Sequence, residues 1–245
     1  MTNNKNFIVE RKGCIAIIKI DNPPQNYLKD PAFISREELK TLEEDPDIKG
    51  IIITGVGRHF SAGADLNNLF KHSHDQAGLI EYMTKGTGLL EFISELNVPI
   101  VAAINSTCWG GGLEIAMSCH IRLASEKSLF AFPEINYNLM PGLGGIVRLV
   151  ERAGAANSIS LLMSGDIFDA EKALKYKIIH QLTNNNVLDY ATDYINKLVE
   201  SKPKKVITSI MQAINNAHKL PLHEAIHQET RLFCELAIEE AARRK

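Results

Sequence analysis

A surplus of basic charge, paired cysteines and long apolar runs are all missing from this chain of 245 residues. Its 27 lysines and arginines against 29 acidic residues leave a formal net charge of −2. A nucleic-acid or anionic-membrane partner would leave a basic footprint, so neither is expected. The four cysteines, Cys14, Cys108, Cys119 and Cys234, are scattered and form no C-x-x-C pair. They read as free thiols of a reducing compartment, not as a disulfide frame or a zinc knuckle. The purest apolar stretches, such as 98–104, fall far short of the ~20 residues that a membrane span needs. Residues 1–11 are polar and carry no apolar h-region of a secretory signal. The expected address is therefore cytoplasmic. No G-x-G-x-x-G or G-x-x-x-x-G-K-[ST] run occurs, which removes the dinucleotide and P-loop readings. There is no repeat of fixed period and no low-complexity tract.

What is present divides into two textures. Up to about residue 182, short β-branched runs at 14–20, 50–55, 99–104, 120–124 and 129–132 alternate with helical or glycine-rich segments. Continuous apolar strands separated by helices predict an α/β architecture with strands covered on both faces. After the polar Thr183, Asn184, Asn185 and Asn186, the spacing becomes helical. Val187, Ala191, Tyr194 and Leu198 form one stripe; Val206, Ile210 and Ile214 a second; Leu222, Ile226, Phe233 and Leu236 a third. The expected division is an α/β core over 1–185 and a helical region over 186–245. Three amphipathic helices there would cap the core or pack against a neighbouring subunit.

The chemistry gathers around three consecutive glycines, Gly110, Gly111 and Gly112, placed between a buried strand and a helical run. Bare backbone lets a ligand approach closely, and a helix start presents unpaired N–H groups to an anion or a developing oxyanion. Glycines alone would favour a plain tight strand-to-helix turn. Glu114 follows within the first helical turn, among Leu113, Ile115, Ala116 and Met117, and Glu134 ends the apolar run 129–133. Singly, the first is explained by the helix dipole and the second by backbone donors or water. As a pair in apolar surroundings, their ionisations would be raised and pushed apart. One carboxyl can then hold a proton while the other accepts one, as the addition or removal of water requires.

These segments resemble a known family. V-P-I-V-A-A-I-N (98–105), G-G-G-L-E-I-A-M (110–117), F-P-E (132–134) and P-G-L-G-G (141–145) look like the core of the crotonase, or enoyl-CoA hydratase/isomerase, superfamily. F-S-A-G-A-D-L (60–66) resembles its first oxyanion segment, and G-D-I-F-D-A-E-K-A (165–173) one of its later helix starts. The resemblance covers nearly the whole chain. It implies a spiral of ββα units with C-terminal helices that assemble trimers, often paired into hexamers. It implies an acyl-CoA or carrier-bound acyl thioester as substrate, with no cofactor beyond the CoA it carries and no metal. The backbone N–H groups of Ala64 and Gly111 would hold the thioester carbonyl, with Glu114 activating water and Glu134 delivering the C2 proton. Asn26, Ala62, Asp65, Leu66 and Asn67 would contact CoA. Relatives that only shift the double bond commonly use one carboxylate, at the Glu134 position. Keeping both favours hydration of a 2-enoyl thioester, with isomerisation the alternative.

The chain departs from the family pattern in several places. Tyr27 stands in the adenine-side segment N-P-P-Q-N-Y-L (22–28) where a small residue is usual, and Gln25 and Asn67 lie where many relatives place a basic residue. With the chain ending at Lys245, a weak grip on the nucleotide is expected. Trp109, the single tryptophan, replaces a smaller apolar residue and either narrows the acyl pocket or packs in the core. Asn138 stands where glycine is usual and suits a left-handed backbone. A different class of function also has a literal signature. H-E-A-I-H (223–227) matches the zincin pattern. Thr230 and Phe233 occupy the places of a metzincin Gly and third His, and Leu222, Ile226 and Phe233 read as a packing stripe. The zinc-peptidase reading is distant. A thioester-binding homologue without turnover is the third reading, against which the two glutamates argue.

Overall fold

The computed structural model describes residues 6–244; residues 1–5, at the start of the polar N-terminal segment, and Lys245 lie outside the described residues. A strand β1 (Phe7–Lys12) leads into β2 (Ile15–Ile20), and β3 (Gly50–Gly55) and β4 (Ile100–Ile104) follow after helical crossovers. Then come β5 (Thr107–Trp109), β6 (Ile121–Ser125), β7 (Leu129–Ala131), β8 (Phe168–Asp169) and β9 (Gln181–Thr183). Six strands form one sheet in the order β1-β2-β3-β4-β6-β9, parallel except at the β1–β2 pair. The other three form a small sheet in the order β5-β7-β8. β2, β3 and β4 are isoleucine-rich and nearly wholly buried, as strands covered on both faces must be.

The helices are α1 (Arg36–Glu44), α2 (Leu66–Lys71), α3 (Gln76–Glu95), α4 (Gly111–Ser118) and α5 (Gly145–Ser164). They continue with α6 (Ala170–Lys175), α7 (Val187–Val199), α8 (Lys204–Lys219) and α9 (Leu222–Arg243), and a 3-10 turn spans Pro133–Tyr137. Successive turns of the chain each give one strand to the large sheet, one to the small sheet, and then a helix. β4, β5 and α4 make one such turn; β6, β7, the 3-10 turn and α5 make the next. The architecture is thus α/β, a spiral of ββα units followed by C-terminal helices, as the family resemblance implies.

Register does the work of assembly. A bridge joins Ser61 to Cys108, and Cys108 pairs with Phe130. Three neighbouring backbones therefore leave the small sheet side by side. A few residues beyond those pairs lie Ala64, Gly111 and Glu134.

The polar turn at 184–186 separates β9 from α7, where the composition changes. Yet α7 packs back on the large sheet: Val187, Ala191, Ile195 and Val199 are buried against Ile15, Ile17, Ile52, Val101 and Leu123. α8 adds Ile207 and Met211 to this layer, whereas Ile210 and Ile214 from the expected stripe are about half exposed. On α9, Leu222 (78%), Phe233 (69%) and Ile238 (70%) are exposed, and Ala225 is its one buried residue among those described. No helix among the described residues is long and apolar enough to cross a membrane.

Candidate active site

Glu114 sits in the first turn of α4 with 2% of its surface exposed. Its Oε1 accepts two backbone hydrogen bonds, from Leu143 N–H at 2.8 Å and from Gly145 N–H at 2.7 Å. No hydrogen bond from a described residue reaches Oε2. Burial raises this carboxyl above its usual range; the Gly145 and Leu143 amides and the nearby Arg148 guanidinium pull it back. Glu134 begins the 3-10 turn, and its environment differs. Its Oε2 is buried with no hydrogen-bond partner among the described residues. Burial pushes this carboxyl up to about 7, opposed by its own backbone amide and reinforced by the charge of Glu114. The two carboxylates are near enough for the charge of Glu114 to raise Glu134, and their settings are unequal: Glu114 is gripped by two amides, and Glu134 Oε2 has no partner among the described residues.

The oxyanion candidates lie beside them. Leu28 and Ala64 form a parallel bridge in which Leu28 N–H donates to Gly63 O at 2.8 Å and Asp65 N–H donates to Leu28 O at 2.9 Å. In that pattern the bonds fall on the residues flanking Ala64, so its own N–H points away from the ladder. Gly111 opens α4, and its N–H has no carbonyl one turn back to bind. The two amides are near neighbours: a Cβ placed on Gly111 would lie 3.7 Å from Ala64 N. Gly110 makes the turn between strand and helix at φ 47° and ψ −123°, a conformation open to glycine alone.

The segments expected on the CoA side are less uniform. Asn26 is fully buried; its Nδ2 donates to Val56 O and His59 O, and its Oδ1 accepts from Asn22 N–H. Its side chain is committed to shaping the loop and has no donor to spare. Ser61 Oγ, donating to Asn26 O at 2.7 Å and accepting from Gly63 N–H, ties that loop to the oxyanion segment. Ala62 N–H donates to Gln25 O, and Asp65 caps α2 by accepting from Asn68 N–H. Leu66 and Asn67 occupy the first turn of α2, with Asn67 exposed. Trp109 is partly buried, and its Nε1 has no partner among the described residues. Asn138 adopts φ 57° and ψ 34°, the left-handed conformation anticipated for it. Two features escaped the sequence reading: the amides of Leu143 and Gly145, and Arg148 behind them. The P-G-L-G-G segment was the available signal.

On α9, His223 Nε2 lies 3.8 Å from Glu224, and both side chains are largely exposed. Among the described residues no cluster of three or more His, Cys, Asp or Glu is arranged to hold a metal. The comparisons with known proteins point the same way as the carboxylate pair. The family model described as enoyl-CoA hydratase/isomerase matches residues 10–245.

The chain belongs to the enoyl-CoA hydratase/isomerase family. It is 32% identical to a probable enoyl-CoA hydratase of Bacillus subtilis, over 90% of this chain and 86% of that protein. It is 33% identical to the fatty acid oxidation complex subunit alpha of Idiomarina loihiensis over 93% of this chain, and spans 34% of that longer protein. A solved enoyl-CoA hydratase from Thermoplasma volcanium superposes with a TM-score of 0.84 at 29% identity, covering 96% of this chain and 93% of that one. The chain is thus an enzyme of the enoyl-CoA hydratase/isomerase type.

Proposed function

We propose that this enzyme is an enoyl-thioester hydratase, adding water across C2=C3 of a 2-enoyl-CoA or of the same acyl group on a carrier protein. The unequal environments of Glu114 and Glu134 carry this reading. Glu114, held by two amides, suits a base; Glu134, raised to about 7 and lacking a partner on Oε2, suits an acid. Glu114 takes a proton from water as the water oxygen bonds to C3. The C2=C3 electron pair moves toward C1, and the thioester oxygen gains charge, which the N–H groups of Ala64 and Gly111 stabilise. Glu134 gives its proton to C2, the electron pair returns, and the 3-hydroxyacyl thioester results. Each oxyanion donor supplies about 10²–10³ in rate in comparable sites.

The isomerase alternative needs one carboxylate, and the gripped second one at Glu114 favours hydration. Chromatography with mass detection on crotonyl-CoA and on a 3-enoyl-CoA separates the two: hydration of the first adds 18 Da, whereas conversion of the second to its 2-enoyl isomer shifts the elution and leaves the mass unchanged. Mass gain by the wild type and its loss in Glu114→Gln support the proposal; isomerisation without mass gain overturns it.

The exposed apolar residues of α9 support a homo-oligomer, a trimer or a pair of trimers, with 186–245 as its assembling region. Sedimentation showing a stable monomer at micromolar concentration would refute that. Free thiols at Cys14, Cys108, Cys119 and Cys234 agree with a reducing cytoplasm. The scheme calls for no cofactor beyond the substrate's own CoA.

A further inference from the structure

Hydration requires Glu114 to be ionised when it meets its water, and its burial works against that. The Leu143 and Gly145 amides oppose the burial, both through Oε1. The residue that supplies the first of those amides is itself bonded to a cation. Arg148, in the first turn of α5, donates from Nη1 to the Leu143 carbonyl at 2.9 Å. Leu143 is therefore anchored at both ends, its N–H on Glu114 and its C=O on Arg148. A Cβ on Gly144 would lie 2.5 Å from Arg148 Nη1, and one on Gly145 would lie 2.8 Å from Glu114 Cγ. Glycine at both positions lets one short loop press against the guanidinium on one side and the carboxylate on the other. Because α5 begins at Gly145, the positive end of that helix also faces Glu114.

The other charged and titratable groups around this pair are few. Glu134 approaches from the 3-10 turn, Glu91 from α3, Glu151 and Arg152 from α5, and the Cys119 thiol from the end of α4. Burial pushes Cys119 up to about 12, so it is neutral. Glu151 is engaged by Arg152 at 3.1 Å. Arg148 makes no ion pair among the described residues, and of the acids whose charge it feels Glu114 acts most strongly, ahead of Glu91 and Glu151.

We propose that Arg148 is a positioning residue for hydration: it fixes the Leu143–Gly145 loop that grips Glu114, and its charge favours the carboxylate form there. It acts through Glu114 and has no contact with the reacting atoms. The proposal rests on the hydratase reading, and the test separates the two.

The measurement is the pH profile of kcat and KM for hydration of crotonyl-CoA by wild type, Arg148→Met and Arg148→Lys. Arg148→Met should lower kcat about tenfold or more with KM held within about threefold, and should move the acidic limb up by about one pH unit. Arg148→Lys should restore the limb to its wild-type position. An unmoved acidic limb in Arg148→Met overturns the proposal, because an arginine that only supports the fold would change melting without changing ionisation. Carboxyl-carbon NMR titration of Glu114, assigned with Glu114→Gln, reads the same shift without turnover. If the wild type hydrates nothing, the hydratase reading falls, and the NMR titration still decides whether Arg148 favours the ionised Glu114. Should Arg148→Met fail to fold, Arg148→Gln keeps a donor for Leu143 without the charge.

Discussion

Glu134 occupies the space beside Gly110 in which any other residue would carry its side chain: a Cβ on Gly110 would lie 2.6 Å from Glu134 Oε1. The proposed acid and the first of the three glycines are therefore a single fitted pair. Gly110→Ala would meet both the clash and the glycine-only dihedrals, at a cost of about 1–3 kcal/mol. Turnover should fall further than the loss of stability accounts for, since Glu134 must shift. Melting curves and kcat of the variant check this; unchanged values for both would mean the backbone and Glu134 relax freely.

The two carboxylates should shape a bell in kcat/KM against pH. Glu114 must be ionised, which sets the acidic limb. Glu134 must be protonated, so activity should fall as pH rises through about 7. Glu134→Gln and Glu114→Gln should each cut hydration by about 10²–10⁴, while binding of a saturated thioester persists. A Glu134→Gln variant that keeps its alkaline limb would assign that limb to another group.

Glu134 also makes a prediction about stability. Its folded carboxyl titrates near 7, well above the ordinary value of 4.5. Between those values the folded state holds a proton that the unfolded chain has released, so this group's contribution falls as pH rises through that window. Above about pH 7 the buried charge is a standing cost. Glu134→Gln should therefore gain melting temperature relative to wild type as pH climbs from 4.5 to 7.5. Thermal scans at the two pH values test this, and a constant difference between them would contradict it.

On the side where the nucleotide is expected, Gln25 and Asn67 are exposed and uncharged, and Tyr27 is 42% exposed. Charge-assisted phosphate contacts are worth roughly 1.5–3 kcal/mol each. With few of them, kcat/KM for the same enoyl group on CoA and on phosphopantetheine should agree within about tenfold, since two lost contacts would separate them by more than a hundredfold. A preference of several hundredfold for CoA would instead bring in exposed cations such as Arg58 or Lys71.

The parts of the molecule legible in the sequence are those where one local preference decides. β3 is a run of isoleucines that coincides with the expected 50–55, and Asn138 is left-handed because a position that glycine often fills tolerates asparagine next best. The two- and three-residue strands β5, β8 and β9 carry too little pattern to be read, and the mostly exposed β1 lacks an apolar run. On α8, the stripe Val206, Ile210 and Ile214 left open whether it would cap the core or face a neighbouring subunit; Ile207 and Met211 point to the sheet and Ile210 and Ile214 stay about half exposed, a choice that apolar spacing does not resolve. For Asn26 the motif carried no sign that the side chain would be engaged by Val56, His59 and Asn22. Arg148 was invisible because its role depends on where a distant loop comes to rest.

The bridge between Leu28 and Ala64 ties the expected adenine-side segment to the expected oxyanion segment. That segment and the proposed oxyanion donor are held by the same two hydrogen bonds, which flank Ala64. A displacement of Leu28 by a poorly fitting nucleotide would, through those bonds, pull on the backbone either side of the Ala64 amide. Selectivity for the handle of the substrate would then be felt at its reactive carbonyl, as a change in turnover as well as in affinity.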